Sequence, residues 1–365
     1  MQDQLDRLHF MDAMRGTLMI LGVVLHSAEV FNPEQIWVIY SENTNRFLGY
    51  LVGIIETFRM PAFFVVSGYF CYLTLQKYKV QKFLRVRIER IFVPLVVTAL
   101  TLNLLQSLFL QAIGRRAPLY DYVTDGQYIA HLWFLVNILA YFLVACLLAV
   151  LLKPFAGTIR TWTAKLFNNV PMLLIVFLMP FFSVAVMATT KVGFPLYYMG
   201  YGFLNVWFIL MFAPFFFFGV VIAFEKDYLK RFSSINPILC LAVVIAAFLL
   251  LELLDPSVSK ISEIAYLYTT ALKQWASVLI CFFIFFRFLN NHSKAGQLLS
   301  ESSYSVYLLH HFFVVVLAAL LIKYNVPAFP GVLTLIAVVS IITLTIHFQV
   351  IAKNKFLLYA FNGKK

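Results

Sequence analysis

The chain is poor in charge. Only 12% of its 365 residues are Asp, Glu, Lys or Arg, about half the ~25% usual for a soluble protein, while 62% are hydrophobic. A large water-soluble domain is therefore excluded, because apolar runs recur from residue 11 to residue 352 and leave no room for one. Acidic residues are the scarcest charges, 16 against 28 basic ones, for a formal net charge of +12. That excess does not point to nucleic acid, since the basic residues gather in alternate loops, which is a signal of membrane topology. Cysteine is limited to Cys71, Cys146, Cys240 and Cys281. Each lies in an apolar segment, and none has CxxC or metal-ligand spacing, so packed thiols are expected rather than disulfides or metal ligands. A cleavable leader is not expected either. Arg15 and His26 interrupt the first apolar run, and no small-residue cleavage site follows a clean core. No internal repeat is visible.

What is present is a series of apolar stretches, each near the ~20 residues that span a bilayer as a helix. They fall at 11–31, 48–76, 89–112, 131–152, 170–189, 201–224, 236–254, 265–289, 303–322 and 331–352. The reading is all-α: a polytopic transmembrane helical bundle of ten helices in the lipid bilayer, one domain over residues 1–365. Pro61, Pro94, Pro180 and Pro214 fall inside these stretches, as membrane helices tolerate when neighbours satisfy the freed backbone groups. Nineteen of the 28 basic residues lie on one side, from Arg7 through the run Lys77 to Arg90 to Lys364 and Lys365. Seven lie on the other, among them Arg46, Arg115, Arg116 and Lys191, and Arg15 and Arg59 fall within spans. The positive-inside rule then places both termini in the cytoplasm.

The first stretch, MDAMRGTLMILGVVLHSAEVF, carries two groups that are expensive in hydrocarbon and usually mark function. Arg15 and His26 are eleven residues apart. At ~100° per residue they share one helix face, and at ~1.5 Å per residue they stand ~16 Å apart along the axis. Asp12 and Glu29 lie within i,i+3 reach of them. Read structurally, this is an ion pair and a helix-end histidine. Read functionally, Arg15 suits an anion such as phosphate, His26 suits a general base, and Glu29 orients it.

The second stretch contains FRMPAFFVVSGYF, residues 58–70, with Glu56 and Arg59 spaced i,i+3 in mid-membrane. They neutralise each other or serve a ligand. Ser67 and Gly68 form a small patch that lets a helix, or a thin ligand, approach closely. KYKVQKFLRVRIERIFVP, residues 77–94, follows. Arg85, Arg87 and Arg90 there either anchor lipid phosphates or form a phosphate-binding patch, since the guanidinium fork grips phosphate in two places. HLWFL, residues 131–135, offers His131 and Trp133 as an aromatic belt or as a sugar platform. In SESSYSVYLLHHFF, residues 300–313, Ser303, Tyr307 and His310 make a polar stripe facing the bundle. That stripe is either a structural hydrogen-bond array or a functional one.

Taken in order and spacing, Arg15-x10-His26, FFVVSGYF, Arg87-x-x-Arg90 before Pro94, and SYSVYLLHH resemble the acyltransferase-3 family of bacterial membrane O-acyltransferases, along essentially the whole chain. The stretches FRMPAFFVVSGYF, RVRIERIFVP and HLWFL are similar to a branch of that family described as adding succinyl groups to periplasmic glucans. The resemblance implies a multi-pass protein of the bacterial inner membrane. It also implies a cytoplasmic acyl-CoA donor (succinyl-CoA or acetyl-CoA), an extracytoplasmic glycan acceptor, no metal, and essential roles for Arg15 and His26. The extracytoplasmic hydrolase-like domain of longer family members is missing from this sequence, so an acyl relay through one is not expected.

The mechanism then expected has Arg85, Arg87 and Arg90 holding the phosphates of CoA and the thioester arm threading past Arg15 and Ser67 to His26. His26 takes the proton of a sugar hydroxyl. Tyr307, His310 or Ser67 steadies the oxyanion, Arg59 receives a succinyl carboxylate, and His131, Trp133 and Glu56 meet the acceptor. An acyl-histidine intermediate is the close variant. The rival class is a proton-coupled transporter of a small polar or anionic solute, which also needs intramembrane His, Arg and Glu. A structural or signalling protein would leave His26 dispensable. A homodimer is compatible with such a bundle.

Overall fold

The computed structural model describes residues 8–115 and 121–364. Of the basic residues used for topology, Arg7, Arg116 and Lys365 lie outside the described residues. Each apolar stretch found in the sequence lies mainly on helix, the stretch at 201–224 from Val206 onward. The elements are α1 (His9–Glu29), α2 (Arg46–Lys77), α3 (Val80–Ala112), α4 (Ala130–Leu151), α5 (Lys153–Asn169), α6 (Met172–Ala188) and α7 (Val206–Ile222). Then come α8 (Lys226–Ser233), α9 (Pro237–Leu253), α10 (Lys260–Phe288), α11 (Lys294–Lys323), α12 (Ala328–Ile351) and α13 (Lys355–Asn362). Two two-residue strands, β1 (Met199–Gly200) and β2 (Leu204–Asn205), pair antiparallel just before α7.

Six of these helices are long and apolar enough to cross a membrane, and eight if each bent pair counts as one span. The expectation of ten differs for identifiable reasons. Asp12, Arg15 and Glu29 lower the apolarity of α1. The stretch at 170–189 is the second arm of a pair, α5 with α6, bent by 110° at Val170 and Pro171. The pair α8 with α9 is bent by 62°, and α7 is a shorter apolar helix. Leu143, Leu147 and Leu151 on α4, Leu249 and Leu253 on α9, and Ile341 on α12 are exposed on the outside of the bundle, as a lipid-facing surface requires.

Local sequence starts these helices. Asn45, Asn205, Ser259, Ser293 and Asn354 cap α2, α7, α10, α11 and α13, each side chain accepting a backbone N–H of the first turn, as N-caps do. Three π-helical segments interrupt the long spans, at Ile88–Phe92 and Ala99–Asn103 in α3 and at Ile346–Ile351 in α12. Such insertions are frequent at functional sites. Small residues set the closest crossings. A Cβ on Gly16 would lie 3.0 Å from the backbone N of Ser300, so α1 and α11 touch backbone to side chain-free backbone there. Gly68 of α2 faces the carbonyl of Phe216, and Gly219 of α7 faces the carbonyl of Val65. Cys71, Cys146, Cys240 and Cys281 are free and buried.

Candidate active site

The face of α1 that carries Arg15 and His26 turns into the bundle, against α11 and α2. Arg15 sits at one end of the bundle. Its guanidinium is 3.3 Å from Asp12 and donates to Ser300 Oγ at 3.2 Å. Around it opens a cavity of about 230 Å³, lined by Arg15, Ser67, Arg87, Arg90, Ser300 and Lys364 together with Met19, Phe63, Phe134 and Tyr304. Arg87 is held in place by donating to Thr74 Oγ1 at 3.0 Å and by the rings of Phe83 and Phe142, 5.1 and 4.8 Å from its guanidinium carbon. The π turn at Ile88–Phe92 follows at once, and Arg90 on that turn reaches the same cavity. Four expected donor-site residues, Arg15, Ser67, Arg87 and Arg90, are thus assembled in one place. Arg85 is not among them: it points outward and pairs with Glu89 at 3.3 Å.

Deeper along α1 the structure gathers histidines. The ring of His26 stacks on Trp37 (5.5 Å between centroids, 16° between planes) and on His310 (5.3 Å, 30°), and meets His311 edge-on at 5.1 Å. His131 stacks flat on His311 at 4.6 Å and 8°, and lies 5.5 Å from His310. His26 is half-buried, and its Nδ1 is buried without a hydrogen-bond partner, as are both ring nitrogens of His131. Among the described residues no three His, Cys, Asp or Glu side chains are placed to hold a metal ion.

Arg59 enters this cluster from α2. It is buried, and a Cβ on Gly22 would lie 2.8 Å from its Nη1 and 3.2 Å from His310 Nε2. Gly22, one turn before His26, therefore leaves the space that both groups occupy. His310 Nδ1 faces the carbonyls of Val306 and Tyr307 at 3.1 and 2.7 Å. Carbonyls only accept, so Nδ1 carries the hydrogen, and in the neutral ring Nε2 is a bare acceptor. His310 is consequently not an oxyanion donor. Tyr307 is committed as well, its hydroxyl donating to the carbonyl of His131 at 2.6 Å.

Other expected roles are redistributed. Glu29 does not orient His26; it is buried and accepts from Asn32 Nδ2 at 3.1 Å. Glu56 is exposed on α2, and no ion pair joins it to Arg59 among the described residues. Trp133 parts company with His131 and packs with Phe208 (4.7 Å) and Phe212 (5.5 Å). Residues two apart on a helix point in widely different directions. Three side chains that sequence reasoning left without a role join the site: Trp37 on His26, His311 at the centre of the cluster, and Gln106, whose Oε1 is 2.7 Å from His311 Nδ1.

On the cavity wall Phe63 packs edge-on against Phe134 (4.7 Å, 87°), and Tyr307 lies 6.3 Å from Phe134. Ser303 and Tyr304 line the cavity, and Tyr307 and His310 are the next turn of α11, so the cavity and the histidine cluster are about one helical turn apart along that helix.

A family model described as an acyltransferase domain matches residues 8–347. Among curated proteins the chain is similar to the glucans biosynthesis protein C of Salmonella paratyphi B, 27% identical over 327 residues, covering 84% of this chain and 82% of that one. It is also similar to the glucans biosynthesis protein C of Escherichia coli, 28% identical over 320 residues, covering 84% and 81%. No solved structure matches it.

Proposed function

The chain belongs to the acyltransferase-3 family of acyltransferase-domain proteins, and from that premise we propose that this multi-pass membrane acyltransferase moves an acyl group, succinyl by preference, from cytoplasmic acyl-CoA to a hydroxyl of an extracytoplasmic glycan. The observation that carries this reading is the pairing of two groups of residues along α1. One lines a cavity ringed with cations at Arg15, the other is a histidine cluster at His26. The preference for a glucan rests on the relatives' name alone. The cationic end is the cytoplasmic one, because Arg87, Arg90 and Lys364 belong to the basic-rich side. An even number of crossings, with both termini in the cytoplasm of the bacterial inner membrane, fits that orientation.

The steps follow from where the groups lie. The phosphates of CoA meet Arg15, Arg87 and Arg90 at the mouth. The cavity is smaller than the ~300–1,000 Å³ of a drug-sized site, so it takes the pantetheine arm rather than the nucleotide. The thioester passes the rings of Phe63, Phe134 and Tyr307. The sugar hydroxyl then attacks the thioester carbon, and His26 takes its proton. The carbon–sulfur bond breaks, the acyl group leaves on the sugar oxygen, and the proton passes to the departing CoA thiolate. Arg59, whose guanidinium lies beside Gly22, the residue one turn before His26, receives the distal carboxylate of a succinyl donor.

Purified protein given acyl-CoA and a glucan is expected to release free CoA only when both are present. Solute flux through proteoliposomes without CoA consumption would instead establish the transporter. A second expectation concerns donor choice. Arg59→Gln removes the cation but keeps hydrogen-bond donors, and should lower kcat/KM for succinyl-CoA about tenfold or more relative to acetyl-CoA, the size of one charge-assisted contact. An unchanged ratio in a paired-donor competition assay would remove Arg59 from carboxylate recognition.

A further inference from the structure

The C-terminal segment forms one wall of the cationic cavity. Helix α13 ends at Gly363 in the left-handed conformation (φ 57°), whose N–H donates to the carbonyl of Tyr359 at 2.8 Å, an ending that favours glycine. A Cβ at Gly363 would overlap the carbonyl of Glu89 and the Cα of Arg90. The tail is thus pressed against the π turn of α3 that carries Arg90. The residue before it is tied from the other side. Ser305 Oγ donates to Asn362 Oδ1 at 2.8 Å, and His347 Nδ1 lies 2.8 Å from the same Ser305 oxygen. Serine has one hydrogen, already given to Asn362, so His347 Nδ1–H must donate. Ser305, His347 and Asn362 are all buried. The chain from α12 through α11 to α13 is therefore a fixed latch rather than a nucleophilic centre.

What the latch holds is Lys364, which lines the cavity beside Arg15, Arg87 and Arg90. Arg15 and Arg87 already give part of their hydrogen bonding to Asp12, Ser300 and Thr74. A lysine ammonium on a flexible stem adds a point charge with three donors that can follow a phosphate. Counting charges along the sequence assigns Lys364 only to membrane topology. We propose that Asn362, Gly363 and Lys364 complete the donor site, with Lys364 as a phosphate-binding residue for a nucleotide-bearing thioester. This rests on the acyl-CoA reading above, and the test separates the two.

The full chain in detergent is titrated with coenzyme A, and with pantetheine as a probe of the arm without its phosphates. Lys364→Gln should weaken coenzyme A binding about five- to tenfold, the worth of one phosphate contact, and leave pantetheine binding and the melting temperature unchanged. Lys364→Arg should restore most of the loss. Gly363→Ala should weaken coenzyme A binding similarly by displacing the tail. Lys355→Gln, which removes a charge on the same side but off the cavity, should have no effect. Equal losses in the Lys364 and Lys355 variants, or a Lys364→Gln protein that binds coenzyme A as the parent does, would overturn the assignment. A parent protein that binds no coenzyme A at all would overturn the acyl-CoA reading and this inference together.

Discussion

Replacing His26 by glutamine should lower turnover by about 10²- to 10⁴-fold, the usual contribution of a positioned proton acceptor, with the protein folded and donor binding intact. His26 is the half-buried member of the cluster, its ring fixed between Trp37 and His310. The other three histidines of the cluster are buried, although His310 Nε2 and both ring nitrogens of His131 also lack a hydrogen-bond partner. His310 spends its Nδ1 hydrogen on backbone carbonyls and turns Nε2 toward Gly22 and Arg59. His311 is tied to Gln106. Glutamine keeps a flat polar group in that space and cannot take up a proton at neutral pH. Coenzyme A affinity should not move, since the proposed donor cavity is lined by Arg15, Arg87 and Arg90 and not by His26. The measurement is single-turnover transfer to the glycan alongside coenzyme A titration. Activity within a few-fold of the parent would eliminate His26 as the base. In the direct-transfer scheme acyl-CoA without acceptor leaves the protein unmodified. Mass spectrometric detection of an acyl adduct on His26 under those conditions would replace that scheme with the two-step one.

The sequence made some of this site legible and hid the rest for physical reasons. Spacing along one helix is a local property, so the shared face of Arg15 and His26 could be derived from 3.6 residues per turn and is what the structure contains. Isolated polar groups in apolar runs were a second reliable signal. Arg59, Ser67 and His310 all point into the bundle, and Gln106 carries the same signal in the third span. Pairs two apart misled. Arg85 and Arg87, like His131 and Trp133, were grouped as neighbours in a motif, yet helix geometry sends them to different faces. Arg85 takes the surface pair with Glu89, and Trp133 takes the aromatic wall of α7. Glu29 had a nearer partner in Asn32 just past the helix end. Trp37 could not have been found from local pattern. It reaches His26 only because the segment after α1 folds back, with Ser41 N–H on the carbonyl of Val30 and Asn45 N–H on that of Phe31. Lys364 was read as a topology charge because nothing in a run of basic residues says which one a tail will carry into a cavity.

The largest effect on stability should come from Gly219→Val. Helices α2 and α7 cross with Gly68 facing the carbonyl of Phe216 and Gly219 facing the carbonyl of Val65, so each glycine meets backbone rather than a movable side chain. Lipid gives little hydrophobic drive to such a pair, and close backbone packing supplies the attraction instead. A branched side chain at Gly219 can be relieved only by moving a whole helix. The cost should reach the upper end of the ~1–3 kcal/mol typical of overpacking, or exceed it. Ser67 lies beside Gly68 on the cavity wall, so separation of these helices should also weaken coenzyme A binding, a second readout that follows from the same contact. Gly53 on α2 is the control, because a Cβ there meets nothing within 4 Å. Gly53→Ala should be neutral or should stabilise by up to about 1 kcal/mol through helix propensity. Thermal melts of the detergent-purified variants, with the fraction remaining monodisperse, test both. A Gly219→Val protein that melts with the parent would mean that this crossing does not hold the bundle together. Combining it with Gly68→Val should cost less than the sum of the two single changes, since one displacement of α7 relieves both clashes.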